Sequence, residues 1–174
     1  MPSRIDLTHA HEPGRACACP CGEARFGIRA RPFARFYCHC LICQKIYGKP
    51  FADVSVLWAR DLIQAPPEQV KTARYRNPPA LDRSTCASCG RPVHGVLALG
   101  PLRTFAFVPS VNVGTDVGSD VGSDVDAPDV PTPAAHIFYH RRVADIDDAL
   151  PKYSGYWHSQ TAVTAMLIRR AFAR

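Results

Sequence analysis

The sequence predicts a mostly β fold of short strands and loops, with a short helix at the C-terminal end. Proline accounts for 16 of the 174 residues, about twice its usual share, which favours loops and short strands over long helices. The apolar runs are short, rich in β-branched and aromatic residues, and separated by glycine and proline. An apolar share of 47% allows a chain of this length to bury a core without disulfide bonds.

Five apolar segments predict the strands, because each is too short for a helix. They cover residues 33–37, 51–58, 93–99, 105–108 and 136–139. The proline pairs within residues 65–68 and 77–80 cannot continue a regular element, so they predict turns.

Residues 159–174 predict the C-terminal helix. Ser159 is suited to the N-cap, and arginines near the end favour a helix C-terminus. An apolar face is predicted at Val163, Met166, Leu167 and Ala171. We expect this face to pack on the rest of the domain; a basic helix that binds a partner is the alternative.

The length indicates one domain with appendages. We expect a flexible leader at 1–16, a domain at 17–154 and a helical tail at 155–174. Within the domain, residues 110–133 are expected to form a flexible acidic insertion, because glycine-rich repeats with like charge bury too little surface to offset the entropy of ordering. A calcium-binding repeat is the alternative, although such repeats need a longer period.

The formal net charge of +6 is unevenly distributed. Residues 114–130 contain five aspartates and no Lys or Arg, so the remainder of the chain carries +11. That charge favours an anionic small molecule, an anionic surface or nucleic acid, without choosing among them. There is no apolar signal-peptide core and no apolar run long enough to span a membrane, so a cytoplasmic location is expected.

Eight cysteines in a reducing compartment indicate metal or thiol chemistry more than disulfide bonds. They form three clusters, Cys17-Ala-Cys19-Pro-Cys21-Gly22, Cys38-His39-Cys40-Leu-Ile-Cys43 and Cys86-Ala-Ser-Cys89-Gly90. The alternatives are a disulfide framework in an exported protein, a single zinc with additional cysteines, and a zinc ribbon that binds nucleic acid.

The first and third clusters predict a structural zinc site. Cys19 and Cys21 are two apart on an extended segment, so their side chains point to the same side. Cys86 and Cys89 form a tight turn that presents two further thiolates. Four thiolates make the closed tetrahedron of structural zinc, and this site would join segments roughly 65 residues apart.

The middle cluster predicts a different kind of zinc site. Cys38, Cys40 and Cys43 supply three thiolates within six residues and have no obvious fourth partner. Three protein ligands and one open position are typical of catalytic zinc, where the ion polarises or activates a bound group. Cys17 is unassigned and would close this site if it reached the metal. For His39, between two ligands, a structural role is favoured over proton transfer.

These motifs, together with Ala135-His136-Ile-Phe138 and Leu150-Pro151-x-Tyr153, resemble the glutathione-dependent formaldehyde-activating (GFA) family. The resemblance covers about residues 15–154. It implies an Mss4-like fold with two Zn²⁺ ions, a structural one and a catalytic one, on the groupings given above. It also implies a carbon–sulfur lyase that condenses glutathione with formaldehyde to S-(hydroxymethyl)glutathione.

The expected partners are therefore a small thiol such as glutathione and a small aldehyde, with nucleic acid and membranes not expected. Arg31, Arg35, Lys45 and Lys49 lie near the middle cluster in sequence and are candidates to bind the carboxylates of glutathione. The alternative function is a non-enzymatic zinc scaffold that binds a protein or nucleic-acid partner.

Overall fold

The computed structural model describes residues 14–76, 79–99, 102–113 and 130–173, and within them it confirms the predicted mostly β fold. The described residues form ten strands and two α-helices. The strands are β1 (Arg15–Ala18), β2 (Arg25–Ile28), β3 (Ala34–Cys38), β4 (Ala52–Trp58), β5 (Leu62–Ile63), β6 (Val70–Arg74), β7 (Ala80–Cys86), β8 (Pro92–Leu99), β9 (Leu102–Pro109) and β10 (His136–Ile137). The helices are α1 (Leu41–Tyr47) and α2 (Tyr156–Phe172).

The strands form one large and one small sheet. The large sheet has seven strands in the order β10-β3-β4-β9-β8-β7-β6, and the small sheet has three in the order β1-β2-β5. All pairs are antiparallel except β10 with β3. The parallel pair places the late segment of the chain beside the strand that ends in Cys38.

The large sheet is covered on both faces, because successive side chains of a strand point to opposite sides. Leu57 and Ala106 belong to a core cluster that also contains residues of the small sheet. Their neighbours Val56 and Phe105 belong to a second cluster, which includes residues of both helices. The small sheet therefore covers one face of the large sheet, and the helices cover the other.

Helix α2 packs as predicted, but its start differs from the prediction. Val163 and Leu167 are buried in the second core cluster, with Met166 and Ala171 packed against it. The prediction that Ser159 is the N-cap is wrong, because the helix begins at Tyr156. Ser159 lies one turn inside the helix and is fully buried. Its hydroxyl donates to the carbonyl oxygen of Tyr153 (3.0 Å) and accepts from the backbone N–H of Phe138 (2.8 Å).

The observed boundaries refine other expectations. Strand β1 begins at Arg15, inside the expected leader 1–16, whose first 13 residues lie outside the described residues. The expected strand 136–139 stops at Ile137, because Phe138 adopts a left-handed backbone conformation (φ 55°). Of the expected acidic insertion, residues 114–129 lie outside the described residues. No helix in the described ranges is long and apolar enough to cross a membrane.

Candidate metal centres and the adjoining cavity

Four cysteines meet where the small sheet adjoins the end of the large one. Cys19 and Cys21 follow β1, while Cys86 ends β7 and Cys89 lies in the turn after it. Their four sulfur atoms lie within 4.8 Å of one another, and the sulfur atoms of Cys21 and Cys86 are 3.6 Å apart. The structure therefore brings together the four residues predicted to form the closed site, and they could hold a metal ion.

Both cysteine pairs are presented by tight turns. In the first turn the N–H of Gly22 donates to the carbonyl oxygen of Cys19 (2.8 Å), and the N–H of Ala24 donates to the Cys19 sulfur (3.4 Å). In the second turn the N–H of Gly90 donates to the carbonyl oxygen of Cys86 (2.9 Å). The two glycines have φ values of 78° and 71°, which side chains disfavour. Glycine therefore allows each turn to close behind its cysteine pair.

This geometry favours a thiolate at Cys86. Burial raises the pKa of the Cys86 thiol, but backbone N–H donors at Cys89 and Ser88 and contacts with the neighbouring thiols lower it to about 6. Because the thiolate is the form that binds a metal, a lowered pKa at Cys86 favours binding of a thiolate-preferring cation such as Zn²⁺.

The other three predicted ligands meet at the junction of β3 and α1. Cys38 ends β3, Cys40 is the N-cap of α1, and Cys43 lies in its first turn. Their sulfur atoms lie within 4.8 Å of one another. The Cys40 sulfur accepts a hydrogen bond from the N–H of Cys43 (3.4 Å), as an N-cap side chain does. This group could hold a metal ion with three thiolates.

The charge of the three-cysteine group is concentrated on Cys40. Hydrogen bonds from the thiols of Cys38 and Cys43, the backbone N–H of Cys43 and the positive charge of Arg83 together lower the pKa of Cys40 to about 3, although burial opposes them. The pKa of Cys38 is raised well above its ordinary value by its hydrogen bonds to Cys40 and Cys43 and by burial. A divalent cation in place of the thiol protons would relieve this uneven sharing, so the donor set fits a metal.

The three-cysteine group opens into a cavity of about 540 Å³. The helix-covered face of the large sheet forms its floor, with Phe36 and Phe107 among the lining residues. Helix α1 contributes Ile42 and Ile46 to one wall, and α2 contributes Val163 and Leu167 among others. The four-cysteine group does not line this cavity. The two groups thus differ in what a metal would find: four thiols in one, and three thiols beside a cavity in the other.

Three arginines and two histidines also line the cavity: Arg76, Arg83, His94, His140 and Arg141. Arg83 is half-buried and His94 is buried, whereas the other three are exposed. The guanidinium of Arg76 lies 4.9 Å from the ring centre of Tyr156, which also lines the cavity. Among the described lining residues there is no aspartate or glutamate. The cavity therefore favours an anionic ligand.

These basic residues differ from the candidates named from sequence. Arg35 is wrong as a ligand for a substrate carboxylate: it is buried, and its guanidinium donates twice to the carboxylate of Asp53, at 2.8 and 2.7 Å. Arg31, Lys45 and Lys49 are absent from the described cavity lining. Sequence reasoning missed Arg76, Arg83 and Arg141 because they are distant along the chain from the cluster of Cys38, Cys40 and Cys43.

His39 lies in a buried chain of hydrogen bonds outside the described cavity lining. Its Nε2 atom is 2.9 Å from Nδ1 of His136, whose Nε2 donates to Asp148 (2.8 Å). Hydrogen bonds from Lys152 and His136 lower the pKa of Asp148 to about 2, so this carboxylate is ionised. Burial lowers the pKa of His39 to about 4. This series of hydrogen bonds connects His39, between Cys38 and Cys40, to the loop before α2.

Cys17 is separate from both groups of ligands. It is fully buried in the core cluster shared with the small sheet, opposite Phe26 in the β1–β2 pair. The three-cysteine group belongs to the cluster on the other face of the large sheet. Within the described residues, Cys17 therefore does not supply the fourth ligand of the open group.

Comparison with known proteins identifies the family. The glutathione-dependent formaldehyde-activating enzyme family matches residues 15–141, and the chain belongs to that family. A crystal structure of a Rhodobacter sphaeroides protein is similar to it at 18% identity, with a TM-score of 0.46. The similarity covers 59% of this chain and 91% of that one. The comparison with curated proteins found no match.

Proposed function

We propose that this protein is a zinc-dependent enzyme that joins a thiol such as glutathione to a small aldehyde, a carbon–sulfur lyase similar to S-(hydroxymethyl)glutathione synthase. The observation that carries the proposal is the three-cysteine group, which opens into a cavity lined by basic side chains. The family assignment supports the same reaction.

The two cysteine groups fit two zinc ions of different roles. Cys19, Cys21, Cys86 and Cys89 provide a complete tetrahedral set, which fits a structural zinc. Cys38, Cys40 and Cys43 leave one position for a ligand from the cavity. A zinc ion there would supply Lewis-acid chemistry at that position.

The cavity supports an anionic thiol as the first substrate. Glutathione carries two carboxylates, and the arginine side chains of the cavity can bind them with charge-assisted hydrogen bonds. The positive charge of Arg83 contributes to the lowered pKa of Cys40, so we assign Arg83 to the end of the thiol that approaches the three-cysteine group. Arg76 and Arg141 are exposed and suit the parts of the thiol that face solvent. The role of these residues is to orient the sulfur toward the three-cysteine group.

The test is the rate of S-(hydroxymethyl)glutathione formation from glutathione and formaldehyde, measured against the uncatalysed reaction. We expect acceleration by the protein with two zinc equivalents and loss of that acceleration in Cys40→Ser. No acceleration by the two-zinc protein with formaldehyde or any larger aldehyde would overturn the proposal. Salt-sensitive binding of DNA or RNA without thiol binding would instead favour a zinc scaffold.

A further inference from the structure

The cavity is divided chemically into a basic set and an apolar set of side chains. Of the basic side chains, Arg76 and Arg141 are exposed, so their charges lie toward solvent. The apolar lining comes from the sheet and from both helices, and includes Phe36, Leu97, Phe107, Ile42, Ile46 and Leu167. Phe36 and Leu167 are buried in the same core cluster as Cys38 and Cys43. The apolar walls therefore adjoin the three-cysteine group.

This division decides which substrate occupies which part. The carboxylates of the thiol pair best with the exposed arginines, while its sulfur must reach the three-cysteine group. A charged or peptide group placed against the apolar walls would lose its hydrogen bonds to water without replacement. The thiol therefore extends from the exposed basic side chains to the cysteines, and the apolar walls are left for the substituent of the aldehyde.

The size of the cavity exceeds what formaldehyde needs. A volume of about 540 Å³ lies in the range of pockets that enclose a drug-sized ligand. Formaldehyde has no substituent to place against the walls, so it gains nothing from them. Each methylene of a larger aldehyde that becomes buried there strengthens binding about fourfold.

We infer that the aldehyde used at this site carries an apolar chain or ring, so that an aliphatic or aromatic aldehyde is preferred to formaldehyde. The inference rests on the proposed function, because it concerns the second substrate of that reaction. In the step, the thiol sulfur forms a bond to the carbonyl carbon and the carbon–oxygen π bond breaks. Its electron pair moves to the oxygen, which takes up a proton, while the thiol proton is released to solvent. The product is a hemithioacetal with an apolar substituent.

The first test compares formaldehyde, propanal, hexanal and benzaldehyde with glutathione as the thiol. For each aldehyde, kcat/KM is divided by the rate constant of the uncatalysed addition. We expect this ratio to rise from propanal to hexanal by about 50-fold, the effect of three buried methylenes. A ratio that is highest for formaldehyde, or flat across the series, would overturn the inference and leave the proposed function standing. Absence of acceleration with every aldehyde would overturn the proposed function itself.

The second test uses one substitution at two helical positions. Ile46→Gln places a polar amide in the apolar wall, whereas Ile168→Gln makes the same change on α2 at a position that is 53% exposed and outside the described cavity lining. We expect Ile46→Gln to reduce the preference for hexanal over formaldehyde by about tenfold, and Ile168→Gln to retain it. Equal preferences in the two variants, with unchanged thermal unfolding, would contradict the assignment of the apolar walls.

Discussion

The four-cysteine group and the three-cysteine group differ in where their ligands come from along the chain. The first takes two ligands from the turn after β1 and two from the end of β7 and the turn beyond it, and Cys21 and Cys86 are 65 positions apart. The second takes all three from the junction of β3 and α1. A metal in the first group would therefore close a long loop, whereas a metal in the second would organise only a local segment.

The comparison explains why one group suits structure and the other suits chemistry. Two turns that approach from different sheets could surround a metal and would complete its tetrahedron. Three ligands on one short segment would cover only one side of a metal, and here they border the cavity. The same thiol chemistry thus produces a closed or an open site according to the topology that delivers the ligands.

The largest expected effect comes from removing a ligand of the closed group. Cys86→Ala should lose one metal equivalent and its cooperative unfolding, because a structural zinc contributes on the order of 10 kcal/mol to folding, as much as the whole stability of many domains. Metal analysis and unfolding in urea, followed by circular dichroism, test this. Cys17→Ala is the control: it is buried in the adjoining core but should keep both metals. Cooperative unfolding of Cys86→Ala at the wild-type midpoint would contradict the structural role.

At the three-cysteine group, two substitutions of Cys40 should have the same effect on activity but different effects on the free energy of unfolding. Cys40→Ser and Cys40→Ala should each lose one metal equivalent and lower kcat/KM by more than about 100-fold, because even residues that only support metal ligands have effects of that size. Only the alanine variant should lose the N-cap of α1, at a cost of about 1 kcal/mol in the free energy of unfolding. Equal stabilities of the two variants would show that the Cys40 side chain does not cap the helix.

The parts of the fold that could be predicted from sequence are those with a local signal. The strand at 51–58 was predicted to within one residue, because its apolar run and the turn before it lie in one short segment. The two groupings of cysteines were predictable for the same reason, since their members come in closely spaced pairs and a triplet along the chain. Helix α1 was not predicted: it has seven residues, and a cysteine at the N-cap is not one of the usual signals.

The walls of the cavity could not be predicted, because they depend on strand order. Arg83 lies on β7 and Arg141 follows β10, and both line the same cavity through the arrangement of the large sheet and α2. No spacing rule connects two such positions. Arg35 shows the converse error: it is close to Cys38 in sequence, yet its guanidinium is committed to Asp53.

Arg83 and Arg35 provide the next test, because Arg83 lines the cavity beside the three-cysteine group and Arg35 does not. Arg83→Met should lower kcat/KM with glutathione by about ten- to a hundredfold, through loss of a charge-assisted contact, with a smaller effect for a thiol without carboxylates. Arg35→Met should instead lower the free energy of unfolding by about 3 kcal/mol, because it removes the cation paired with Asp53 and leaves that carboxylate to the hydroxyl of Ser110. The variant should retain kcat/KM in the folded fraction. The opposite pattern would indicate that Arg35, and not Arg83, binds the carboxylates of the substrate.

The smallest expected effect is the pH dependence from His94. Burial lowers its pKa from 6.5 to about 4, and its Nε2 atom accepts a hydrogen bond from the N–H of Ala65 (3.2 Å). The unfolded chain therefore binds a proton that the folded protein excludes, and stability is lost as the pH falls below about 6.5. At about pH 5.5 the loss should be about 1.4 kcal/mol.

The control variant is His94→Gln, which can still accept the hydrogen bond but does not titrate. Its free energy of unfolding should therefore change less than the wild-type value between about pH 7.5 and pH 5.5. Protonation of the cysteine groups affects both proteins alike, so only the difference between their pH profiles reports on His94. Parallel profiles would contradict the conclusion that burial keeps His94 neutral in the folded protein.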